Sequence, residues 1–220
     1  MNLRASLLRI ALLALLTSLS LSAPAVAEST EDQAAAHLKA LLGVGEGSVV
    51  VDIGAGKGRF AIALSKYVGA SGTVYATELE AEDRAEIEEK VEEEGATRVK
   101  VMEAKIDGTG LPPESVDGAY MRRVYHHITD PVAFDRAVIE TIRPGGRFVV
   151  IDFRPKWFLA FAVPEGIPDN RGGHGIDPEL VIEEVTAAGF SHVETIERWK
   201  PESWLDTDYG IVFERPANDS

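Results

Sequence analysis

The run Val50-Val51-Asp52-Ile53-Gly54-Ala55-Gly56-Lys57-Gly58 constrains this chain more than any other stretch. Val50, Val51 and Ile53 are β-branched and apolar, as in a strand buried on both faces of a parallel sheet. Gly54, Gly56 and Gly58 then fall at alternate positions. Glycine permits a sharp turn and a close approach of backbone to ligand, and a helix beginning there offers its first N–H groups. Phe60, Ala63, Leu64, Tyr67 and Val68 repeat at helical spacing and predict that helix. A buried strand passing through a glycine turn into a helix opens an α/β fold with a small-molecule site at the turn.

The glycine spacing discriminates between ligands. A dinucleotide fingerprint places its third glycine at the position occupied here by Arg59, which opposes a nicotinamide oxidoreductase. Asp52 stands two residues before the first glycine. An acid there is tolerable where no pyrophosphate is cradled, and it suits the amino group of a zwitterionic ligand. Glu78 directly follows a second predicted strand, Thr73 to Thr77. A carboxylate at that strand end can accept from both hydroxyls of a ribose.

Strand and helix patterns alternate along the rest of the chain. Glu28–Leu42 and the acidic Ala81–Glu94 read as helices, and Arg98–Glu103, Val116–Met121 and Arg147–Asp152 as strands. Asp130-Pro131 and Asp177-Pro178 each pair an N-cap with a first-turn proline. The first of these helices is predicted to stop at Pro144-Gly145-Gly146, the second at Gly189. Two last strands lie near His192–Glu197 and Tyr209–Glu214. Such alternation predicts a parallel sheet covered on both faces. Phe153–Ile176, rich in Pro, Gly and aromatics, is the only long irregular stretch. Trp157, Phe158 and Phe161 within it are candidates for an apolar lid over a substrate.

Composition removes several function classes. The 220 residues contain no cysteine, which excludes disulfides, cysteine-ligated metals and a thiol nucleophile. The formal charge of −14 opposes nucleic-acid binding, which needs a clustered positive field. The first residues carry Arg4 and Arg9 but no acid, followed by the apolar Ile10–Leu21 and by Ala25-Val26-Ala27. This three-part layout predicts a signal peptide over residues 1–27 and an exported, periplasmic or secreted domain over 28–220, without stable membrane insertion after cleavage. An uncleaved anchor is the alternative, although the run falls short of the ~20 residues that span a bilayer comfortably.

Four linked motifs carry a family resemblance: Val50 to Glu78, Asp107 to Asp117, Tyr125-His126-His127, and Arg143 to Asp152, continued by Ala187-Ala188-Gly189-Phe190. In order and spacing this resembles the class I, S-adenosylmethionine-dependent methyltransferases that act on small molecules, nearest the ubiquinone/menaquinone-biosynthesis type. The resemblance implies a Rossmann-like three-layer α/β sandwich with a seven-stranded, mostly parallel sheet whose last strand is antiparallel. It implies S-adenosylmethionine as cofactor and a small-molecule methyl acceptor as substrate. Gly54, Gly56 and Gly58 would line the methionine part with Asp52 nearby, and Glu78 would hold the ribose. Leu79 would pack on the adenine, and Asp107, with Gly108 beside it, would accept from the adenine amino group.

The chain departs from that pattern after the fourth strand, where family members often place Asn, Ser or Asp and this one has Arg122-Arg123. Arg122 suits a carboxylate or an anionic substrate, because its fork binds bidentately. Its alternative is a surface arginine. His126, on the motif after that strand, and His174, in the irregular stretch, are candidate bases or substrate donors near neutral pH. Adjacent histidines on a helix point about 100° apart, so His126 and His127 do not chelate a metal together. The main rival to an enzyme is an exported, non-catalytic binding protein on the same fold.

Overall fold

A computed structural model describes residues 30–155, 171, 175–199 and 207–217. The expected signal peptide, His174 and the aromatic lid candidates Trp157, Phe158 and Phe161 lie outside the described residues.

Strands β1 (Val49–Ile53), β2 (Thr73–Glu78), β3 (Val99–Glu103), β4 (Val116–Arg122), β5 (Ile142–Phe153), β6 (Ser191–Ile196) and β7 (Asp208–Glu214) form one sheet in the order β3-β2-β1-β4-β5-β7-β6. The pairings from β3 through β5 are parallel, and β7 runs antiparallel to both its neighbours. Strand order reverses beside β1, where an open α/β sheet leaves a crevice at its carboxyl edge.

Period-two alternation divides the core into two faces. Val50, Tyr120, Val149 and Val212 point toward helices α1 (Thr30–Leu42), α2 (Arg59–Ser65) and α3 (Ala81–Glu93). Val51, Met121, Val150 and Phe213 point toward α4 (Pro131–Thr141) and α5 (Pro178–Ala187). The three-layer sandwich expected from the sequence is thus the observed one, with seven strands and an antiparallel last strand.

One boundary differs from expectation. Helix α4 ends at Thr141, and Ile142 already pairs with Val116 in β5. The register then shifts so that Arg147 faces Gly118, leaving Pro144-Gly145-Gly146 as an irregularity within the strand. The Arg215 guanidinium, far along the chain, accounts for the early stop. It donates to the carbonyls of Ile139 and Ile142 at 3.0 and 2.6 Å, groups that the helix end leaves without intrahelical partners. Asp130 caps the other end as expected, accepting from the Ala133 N–H at 3.1 Å.

A buried polar cluster joins the short 3-10 turn Tyr125–His127 to α4 and α5. The Tyr125 hydroxyl donates to Asp135 at 2.7 Å and also lies 3.2 Å from a carboxyl oxygen of Glu184. Arg171 donates to Glu184 at 2.7 Å and to the Tyr125 carbonyl at 3.1 Å. One guanidinium thus bonds one of two neighbouring carboxyl groups directly and lies near the other, largely out of water. Burial pushes the Asp135 carboxyl up to about 7 and raises that of Glu184.

Candidate active site

The carboxyl ends of β1, β2 and β4 open into a cleft of two lobes that share Gly54, Gly56 and Arg122. The smaller, about 320 Å³, is walled by Asp52, Tyr120, Phe60 and Glu31. The larger, about 500 Å³, is walled by Glu78, Leu79, Ile106, Val124 and His127. Both volumes suit a small ligand.

The glycines divide the work of the turn. Gly56, at φ +55°, faces both lobes, and a Cβ there would meet no protein atom within 4 Å. Its backbone is the surface on which a ligand can lie. Gly58 lies off the cleft instead. At φ +70° it starts α2, and a Cβ on it would come within 2.7 Å of Ile87 Cγ2. That glycine serves packing between α2 and α3.

Glu78 ends β2 with both carboxylate oxygens turned to backbone donors, Gly56 N–H at 2.7 Å and Leu79 N–H at 3.0 Å. Each carboxylate oxygen keeps a further lone pair for a ligand hydroxyl. The Arg84 guanidinium fixes the strand end by donating to the Glu78 and Leu79 carbonyls. Leu79 is 51% exposed and Ile106 75% exposed, yet both line the larger lobe. Exposed apolar side chains facing one slot provide walls for a flat ring. Ile106 escaped the sequence reading, having no periodic pattern around it.

Asp107 and Gly108 are placed differently from Leu79. They line a neighbouring depression with Thr109 and Ala137, which shares only Lys105 with the cleft. The cause is a tight turn closed by a bridge between Lys105 and Gly108, which leaves Lys105 and Ile106 on the cleft wall and carries Asp107 past it.

At the other end, the Asp52 carboxyl is 2% exposed. Burial is the largest influence on it and pushes its pKa up to about 7; the neighbouring Tyr120 lowers it, Glu78 raises it and Arg122 lowers it. Arg122 lies over the Phe60 ring at 4.9 Å and comes within 3.8 Å of Asp208. Arg123 forks onto the same Asp208, with contacts of 2.9 to 3.1 Å. The arginine pair is therefore organised by one fully buried carboxylate of β7. Nothing local in the sequence marks Asp208, which is 85 residues from its partner.

The two histidines separate. His126 is 3% exposed, with Nδ1 2.9 Å from Asp152 Oδ1 and its backbone N–H directed to Oδ2 at 3.2 Å. It is absent from the cleft wall, and His127 lines the larger lobe in its place. The 3-10 turn explains the exchange, since consecutive residues on it point about 120° apart.

Residues 51–150 match the family described as "Methyltransferase domain". An uncharacterized methyltransferase of Bacillus subtilis, YcgJ, is 31% identical over 103 residues, 47% of this chain and 40% of that protein. Among solved structures, a SAM-dependent methyltransferase from Aquifex aeolicus superposes with a TM-score of 0.69 at 22% identity, covering 86% of this chain and 94% of the other. A geranyl diphosphate methyltransferase in complex with SAM superposes at 0.67 and 16% identity, over 84% and 85%. Residues 51–150 are thus similar to a methyltransferase domain, and the chain carries the Rossmann-like fold seen in S-adenosylmethionine-dependent methyltransferases.

Proposed function

We propose that this protein transfers the methyl group of S-adenosylmethionine to a small-molecule acceptor. The observation that carries the reading is one cleft in which three unlike recognition elements line up. Glu78 offers a carboxylate for the ribose hydroxyls, and Leu79 and Ile106 offer apolar walls for the adenine. Asp52 and Tyr120 offer polar groups for the methionine amino end, beside the open backbone of Gly56. Gly54 shares both lobes, whereas Gly58, Asp107 and Gly108 would act through packing and through the neighbouring turn.

When bound, the sulfonium cofactor supplies its own electrophilic methyl group. The chain's part is to hold an acceptor in line with it, and proximity of this kind supplies much of the rate. Arg122 lines both lobes and would orient an anionic part of the acceptor or the methionine carboxylate. A base is needed only for an acceptor protonated at working pH; His127 is on the wall for that role, and His126, backed by Asp152, supports it from behind at a ring separation of 4.0 Å. His174 remains a second candidate from the sequence. The motif resemblance to the quinone-biosynthesis type and the net charge of −14, which repels a phosphate backbone, both support a small molecule as acceptor.

The test is incubation with methyl-labelled S-adenosylmethionine and a metabolite extract, read by mass spectrometry. Label in a small molecule, with equal S-adenosylhomocysteine formed, is expected; label confined to protein or nucleic acid contradicts the acceptor class. We also propose export of the mature chain beginning at Glu28, supported by the charge and apolar layout of residues 1–27. N-terminal sequencing after cell fractionation checks this, and a full-length chain in the cytosol opposes it.

A further inference from the structure

Asp52 and Tyr120 face each other across the β1–β4 pairing, on the wall of the smaller lobe. Asp52 is 2% exposed and Tyr120 fully buried, and apart from each other neither Asp52 Oδ2 nor the Tyr120 hydroxyl has a hydrogen-bond partner among the described residues. A buried carboxyl whose one neighbouring donor is a buried hydroxyl keeps acceptor capacity unmet, and on a cleft wall that marks a place a ligand donor completes.

The charged neighbours do not neutralise Asp52. Glu78 at the end of β2 repels a negative charge there, and Arg122 on β4 attracts one but is directed toward Asp208. Across the lobe, Lys57 bonds Glu86 at 3.1 Å and Arg59 lies 3.8 Å from Glu31. No ion pair of Asp52 forms among the described residues. Burial without a bonded cation favours the protonated acid, in line with a carboxyl pushed up to about 7.

We propose that Asp52 stores a proton, and that a ligand ammonium group arriving beside it expels that proton to solvent, so that cofactor capture and proton release are one event. The inference rests on the cofactor reading given above. The step balances: the neutral acid and the ammonium cation become a carboxylate–ammonium pair and one free proton. The ammonium favours the charged carboxylate, so the bound state holds fewer protons than the free state below about pH 7. Affinity for an ammonium-bearing ligand therefore rises with pH up to about 7 and is level above it.

Calorimetry in buffers of differing ionisation enthalpy, on the intact protein, reads this directly. S-adenosylhomocysteine carries the ammonium; 5′-methylthioadenosine has the same nucleoside without it. The first is expected to release about one proton at pH 6, falling toward none at pH 8, and to bind about tenfold more weakly at pH 6 than at pH 8. The second is expected to bind with no proton release and no such pH dependence. In Asp52→Asn the difference between the two ligands' pH profiles disappears, and the contrast in the unaltered protein stands whether or not that variant folds. S-adenosylhomocysteine binding at pH 6 without proton release overturns the inference and leaves the cofactor reading intact. Failure of both nucleosides to bind overturns the cofactor reading itself.

Discussion

Glu78→Ala is expected to weaken S-adenosylmethionine binding by about 2–3 kcal/mol, because it removes a charged acceptor from two ligand hydroxyls. The same carboxylate holds Gly56 N–H at 2.7 Å, so its loss also loosens the turn on which the ligand lies. Glu80→Ala, two residues on, is the control. Glu80 is exposed and makes no side-chain bond to the helix it precedes, and its removal should change affinity by no more than about 0.5 kcal/mol. Isothermal titration of both variants decides the point. Equal losses would mean that the acidic surface as a whole attracts the ligand and that Glu78 has no special role.

The second large effect concerns stability. Arg171→Leu strips the only cation among the described residues from a cluster in which Asp135 and Glu184 both lie at the Tyr125 hydroxyl. The Arg171 side chain is fully buried and that of Glu184 only 13% exposed, so solvent screens little of the loss. Breaking a buried pair from one side costs about 3–5 kcal/mol. The double variant Arg171→Leu with Glu184→Leu should cost less than the single one, because it leaves one fewer uncompensated acid behind. Urea midpoints of the two variants measure this. A double variant less stable than Arg171→Leu would show that the guanidinium contributes packing and little electrostatic compensation.

The parts of the molecule that were legible in the sequence are those with a local physical signature. The β1–turn–α2 unit announces itself because a doubly buried strand is apolar throughout and a left-handed turn requires glycine. The cap at Asp130 is equally plain, since one side chain and one proline decide it. What stayed hidden depends on partners distant in the chain. Helix α4 stops early because Arg215 takes its last carbonyls, and no pattern near Thr141 announces that. Asp208 organises Arg122 and Arg123 from a strand that lies two places away in the sheet and 85 residues away in the chain.

The site shows the same division at finer grain. Residue types at the turn were readable, but which of them face the cleft was not. Gly56 faces ligand space and Gly58 faces Ile87, although both occupy equivalent places in the motif. The turn bridging Lys105 and Gly108 turns Asp107 away and brings forward Ile106. Of the two histidines, the one named from the sequence is the buried one. Periodicity reports which residues belong to an element, and short irregular turns have no period to report.

On the proposed reading, the cleft between Glu78 and Asp52 takes S-adenosylmethionine and not a nicotinamide dinucleotide. Titration of the purified protein with each ligand by calorimetry tests it most directly. Saturable one-to-one binding of S-adenosylmethionine with no heat from NAD is the predicted result. Saturable NAD binding with none for S-adenosylmethionine would contradict it.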